Sequence, residues 1–236
     1  MLEEKKRPGF LGFLTGLGSS NEGLIGGFLV LNAVGRPMEF HCTAPIKPNR
    51  AQEILYGNTL DGFVCGEQIA PALVGRTKAE LAAVLTNDPN FLTAPDLIKA
   101  PLGIVFSHVQ LEAADKEGYA LWEEEKDQVK NERRNNDPKE ENLLGDIPQL
   151  TRSLKTVFGS SLDTLPFVPG VDYSKWNETV RGKNRLALPS SYTLKDGSEL
   201  VFDEIVRRID PFLKFIDSVE PFERIRLAVE EAQKSC

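Results

Sequence analysis

This chain of 236 residues has two histidines and three cysteines. Side chains that can move a proton near neutral pH or attack as a thiolate are therefore few. Two of them are neighbours, His41 and Cys42 in "NAVGRPMEFHCTAPIKPNR". A Cys–His nucleophile needs the two side chains in direct contact, at about 2.6–3.2 Å. The flanking text decides whether they can meet. "LIGGFLVL" is an apolar run, "NAVGRP" supplies Asn32 and Gly35 as turn formers, and "MEFHCT" alternates with period two. That order predicts a β-hairpin. Neighbours on a strand project to opposite faces. Met38, Phe40 and Cys42 then share one face, and Glu39, His41 and Thr43 the other. Cys42 is expected as a small core hydrophobe. His41 is left as a ligand-binding candidate that must work with residues from elsewhere.

A second constellation comes from topology. "AELAAVLTND" and "PLGIVFSH" are compact apolar runs bounded by turn formers, with "PNFLTAPDLIKA" between them. The pattern predicts parallel strands over 81–86 and 102–107, joined by a short crossover. Ligands of open α/β sheets bind outside the carboxyl ends of such strands. That end carries Asn87 and Asp88 on one strand, Ser107 and His108 on the other. Asp88 beside His108 suits a carboxylate orienting an imidazole, with Ser107 as helper, in a hydrolytic reaction. Asn87 would bind ligand. The competing reading is structural: Asn87-Asp88-Pro89 caps the crossover helix.

Other chemistries find no support. "GFLGFLTGLG" is glycine-rich but lacks the G-x-x-x-x-G-K-[ST] of a phosphate loop. The cysteines form no C-x-x-C pair, and their spacing matches no zinc module. No metal and no cofactor are expected. Three scattered cysteines make no disulfide framework, which points to a reducing compartment and a cytoplasmic location. The net charge is -7. Residues 1–110 hold 9 Lys+Arg against 10 Asp+Glu, leaving 19 against 25 for the rest. An acidic surface repels phosphate backbones. Arg36, Lys47 and Arg50, with Phe40 or Tyr56 nearby, are too few to track nucleic acid. No window approaches the roughly 18–20 apolar residues of a membrane span.

The elements that must position these residues read as α/β (or α+β): a mixed β-sheet with flanking helices, an amino-terminal β-hairpin and a helical carboxyl-terminal region. Residues 1–20 have the order of a secretory signal, but their apolar run is broken by Gly9, Gly12 and Gly16. They are expected as a flexible arm whose Phe10 and Phe13 dock on the body or on a partner. Residues 21–110 form the α/β core. Within it, Asn49 and Gln52 suit a capping box, and a helix near 65–74 is strained or interrupted by Pro71. Residues 111–146 read as a charged helix and linker. Residues 147–236 are an acidic region with a hairpin near "KDG" and two helices. The apolar positions of the first helix are Ile205, Val206, Ile209, Phe212, Leu213 and Ile216, with Asp210-Pro211 expected to restart it. Glu220-Pro221 opens the second.

The strand-turn-strand-helix order over residues 24–56 resembles small scaffold and sensor folds of the roadblock and longin type. The likeness has no signature residues, and no family site or activity follows from it. Function reads best as a non-catalytic interaction or regulatory protein of a multi-component assembly, with Phe10, Phe13 and Arg36 as contact residues and a protein partner or homo-oligomer expected. The alternatives are the hydrolase built on Asp88 and weak nucleic-acid binding through the Arg36 turn.

Overall fold

Apolar residues and glycines alternate through "FLGFLTGLGS", and the chain makes of them a strand, β1 (Phe10–Ser19). The computed structural model describes residues 9–19, 23–93, 95–106, 168–181 and 184–234. The arm expected over residues 1–20 is corrected from Phe10 onward. β1 lies inside the sheet, paired antiparallel with β2 (Gly23–Asn32) and parallel with β4 (Leu81–Thr86). Glycine content looked like flexibility; here Gly12 leaves room for the Phe28 ring, which lies 2.7 Å from where a Cβ would stand.

Seven strands run in the order β3-β2-β1-β4-β5-β7-β6. β3 (Pro37–Cys42) forms the predicted hairpin with β2. Asn32 Oδ1 holds its turn by accepting from the Val34 and Arg36 amides, at 3.1 and 3.0 Å. Gly35 supplies the positive φ of 78° that the turn needs. β4 and β5 (Leu102–Phe106) are parallel neighbours, as the sequence pattern predicts. β6 (Trp176–Arg181) and β7 (Asn184–Pro189) pair antiparallel, and β7 joins β5. Residues on both sides of 107–165 thus share one sheet and one compact unit. The charged helix and linker expected over 111–146 lie outside the described residues. A mixed sheet with helices on it makes the fold α+β.

Successive glycines on β2 set the two helical layers. A Cβ on Gly26 would stand 2.1 Å from Ile69, and one on Gly27 would stand 2.2 Å from Ile225. Adjacent strand residues face opposite ways, so helices press on the sheet from both sides at this point. One layer runs from α1 (Arg50–Tyr56), capped as predicted by Asn49 and Gln52, through a 3-10 turn (Gly57–Thr59) into α2 (Leu60–Gly62). A π-helical segment (Phe63–Ile69) and α3 (Ala70–Val74) complete it. Proline cannot donate a backbone hydrogen bond and its ring crowds the preceding turn. The helix passes Pro71 without breaking, and the wide π turn immediately upstream takes up the offset, its Ala70 amide reaching back to the Cys65 carbonyl.

The other layer is α4 (Phe202–Leu213) and α5 (Glu220–Lys234). Ile205, Val206, Ile209, Phe212, Leu213 and Ile216 are buried as their spacing predicts. α4 does not restart at Asp210-Pro211; Pro211 sits within its last turn. The hairpin expected near "KDG" is present, made by shorter strands than the run suggests. β7 ends at Pro189, and β8 (Ser191–Thr193) with β9 (Glu199–Val201) form a separate two-stranded sheet around Asp196-Gly197. Among the described residues no helix is long and apolar enough to cross a membrane.

Candidate functional site

β1 and β4 run parallel, so their carboxyl ends lie side by side, next to the π-helical segment. Six polar side chains meet there. Thr15 Oγ1 donates to Asn87 Oδ1 at 2.7 Å, tying the two strand ends together. Thr86 Oγ1 accepts from the Asp88 amide at 3.1 Å. Asp88 Oδ1 accepts from the Asn90 backbone amide at 2.9 Å and from its Nδ2 at 3.0 Å. Cys65 Sγ donates to Asp88 Oδ2 at 3.9 Å. Thr15, Thr86 and Cys65 are almost wholly buried, at 2%, 0% and 1% exposure.

Charge is costly in such a place. Burial foremost pushes the Asp88 carboxyl above its ordinary range; the Asn90 bonds oppose this, and the neighbouring Asp61 adds to it. Burial foremost, then the Asp88 charge, drives the Cys65 thiol far up. A nucleophilic cysteine needs its thiolate. Cys65 has the opposite setting and remains a thiol at neutral pH. The arrangement does not activate a sulfur. Asp88 also does what the capping alternative required, because its Oδ1 closes the turn that starts the 3-10 helix Pro89–Thr93.

The candidate residues separate as follows. Asn87 and Asp88 are together at the end of β4. Ser107 and His108 lie outside the described residues. His41 is elsewhere: β3 stands three strands from β4, about 14 Å at the usual spacing. Its Nε2 lies 3.0 Å from Glu39 Oε2. That contact foremost, with Thr77 and Lys78 assisting, holds the Glu39 carboxyl below its usual range. Cys42 pairs with Gly27 and His41 with Phe28, so thiol and imidazole face opposite layers, and Cys42 packs against the α4–α5 core.

Phe13 is corrected as a contact residue. It is fully buried, its ring edge-on to Phe222 at 5.6 Å between centroids. β1 is a central strand, and its inward face has no route to a partner. Phe10, at the strand's start, is half-buried. Arg36 is exposed on the β2–β3 turn. Arg50 is matched by Glu53 at 2.9 Å, which reduces the basic cluster proposed around that turn. Sequence reasoning missed Thr15 and Cys65 as partners of the β4 end. The available signal was the parallel pairing of β1, which its glycines disguised. Among the described residues no group of three or more His, Cys, Asp or Glu side chains could hold a metal ion.

No family model, no curated protein and no solved structure matches this chain.

Proposed function

We propose that the chain is a non-catalytic interaction or regulatory protein of a cytoplasmic assembly, and that the β2–β3 hairpin is its contact surface. One observation carries the reading. Val34, Met38 and Phe40 are 62%, 53% and 37% exposed on the hairpin whose second strand ends the sheet. Phe40 pairs with Leu29, and Met38 stands at the irregular register between β2 and β3, so both apolar side chains are carried by the outermost strand. Apolar side chains grouped beside the open amide and carbonyl groups of an edge strand favour contact with another chain. The occupant that fits is an extended segment of a partner protein, added as an eighth strand with apolar side chains over Met38 and Phe40. A net charge of -7 opposes association of identical copies and favours a partner of positive charge.

The test is the mass of the native protein purified gently from its source, read by light scattering, with Met38→Glu/Phe40→Glu as comparison. Wild type should travel with a second, defined species that the variant loses, while both unfold at the same temperature. A strictly monomeric wild type, or a complex unaffected by the variant, would count against the reading. A homodimer abolished by the variant would replace the partner segment with a second copy.

A further inference from the structure

A groove lies at the opposite end of β4 from the Asp88 cluster. Its floor is the connection that leads into the strand, Val74 to Leu81. Lys99 and the β8–β9 hairpin form its other walls, and Arg208 of α4 reaches into it. This open groove has a volume of about 760 Å³, within the range of small-molecule sites. The walls are held in place. Tyr192 donates from its hydroxyl to the Ile98 carbonyl at 3.1 Å, latching the β8–β9 hairpin to the crossover. Thr77 Oγ1 accepts from the Ala79 amide at 3.0 Å and shapes the floor.

Charge distinguishes this place from the rest of the molecule. Lys78, Lys99, Lys195 and Arg208 converge on the groove against Glu80 and Asp196, a positive balance in a chain of net charge -7. Elsewhere Arg50, Lys175, Arg224, Arg226 and Lys234 find acids three or four residues away, whereas Arg36, Lys47, Arg76 and Lys214 stand singly and do not converge. None of the four groove cations makes an ion pair or side-chain hydrogen bond among the described residues. The Asp196 carboxylate is turned into its own hairpin, accepting from the Ser198 amide at 3.0 Å. Four cations with free donors, one of them a guanidinium suited to bidentate contact, match phosphate oxygens. Val74, Leu81 and Leu194 offer an apolar wall beside them.

We propose that this groove binds a small organic molecule carrying at least two phosphate groups. The phosphates bridge Lys78, Lys99, Lys195 and Arg208, and the organic body rests on the apolar wall. Lys78 lies within electrostatic reach of Glu39 on β3, so a ligand that engages it touches the same network as the sheet edge.

Isothermal titration of the full chain with inorganic pyrophosphate and with ADP, at low and at physiological salt, tests this. Both probes should bind, ADP more tightly, and salt should weaken both. Lys99→Gln/Arg208→Gln should lose about tenfold or more in affinity while its unfolding temperature stays unchanged. Lys195→Gln alone, at an exposed position, should show a smaller loss in the same direction. Absence of binding by both probes, or equal affinity in the variants, would overturn the proposal. So would binding confined to a single-stranded oligonucleotide. Pyrophosphate binding as tightly as ADP would overturn the part assigned to the apolar wall.

Discussion

Cys65 Sγ stands 3.9 Å from Asp88 Oδ2, a thiol turned toward a carboxylate within the layer between sheet and helix. The carboxylate opposes ionisation of the thiol, while the thiol's hydrogen bond works against the burial that raises the carboxyl. The thiol is shielded, and its acidity is suppressed by burial and by the Asp88 charge. Alkylation of the folded chain should be at least about a hundredfold slower at Cys65 than in the unfolded chain, since reaction must await local opening. Residue-resolved mass spectrometry after iodoacetamide treatment measures this. Cys65 reacting at the unfolded rate would show that its thiolate is accessible.

Asp88 carries the complementary prediction in pH. Its carboxyl is raised above the ordinary value by burial, so the fold favours the protonated form. The stability this group contributes is full below about pH 4, the unfolded carboxylate value, and is lost as pH rises through the raised folded value. Asp88→Asn keeps an oxygen acceptor for Asn90 and removes the titration. Wild type should lose stability relative to this variant as the pH rises above about 4, measured as urea midpoints. Parallel midpoints across that range would contradict the burial assigned to the carboxyl.

Gly27 and Ile225 hold α5 against the sheet. A Cβ on Gly27 would lie 2.2 Å from Ile225 Cγ2, so Gly27→Ala should cost about 1–3 kcal/mol through overpacking. Ile225→Ala alone should cost about 2–5 kcal/mol through the cavity it leaves. The double variant should cost clearly less than the sum, because the new methyl occupies space the isoleucine vacated. Denaturant melts of the four proteins give the coupling, and strict additivity would place α5 further from β2.

β1 is required for folding. Phe13 is fully buried against Phe222, and β2 and β4 both pair with the strand. Removing residues through Ser19 splits the sheet between those neighbours. The shortened chain should lose its cooperative thermal transition and the near-ultraviolet signal of packed aromatics. A truncated protein that still unfolded cooperatively would return this segment to the status of an arm.

That segment also shows what the sequence could reveal. The hairpin at Asn32–Gly35, the parallel pair β4–β5 and the apolar faces of α4 and α5 were legible, because each rests on local periodicity and turn chemistry. β1 was not. Its glycines are there for close approach by Phe28 and for the irregular register with β4, and both causes lie in residues remote in sequence. The site divides the same way. Asp88 as a cap is written in Asn87-Asp88-Pro89, whereas Thr15 reaches Asn87 from 72 residues away and Cys65 reaches Asp88 from 23. The groove cations come from four separate segments, and no spacing rule could have gathered them. Proline was misread at 211 because the break it forces can be absorbed in a last turn.

The interaction surface can be tested most directly by placing a photo-crosslinking side chain at position 40 in the cell that makes the protein, with position 58, exposed on the far helical layer, as control. Illumination should join position 40 to one discrete protein of basic character, and Met38→Glu in the same chain should abolish that product, while position 58 gives none. Equal, diffuse or absent products at the two positions would contradict the hairpin as the surface through which this chain works.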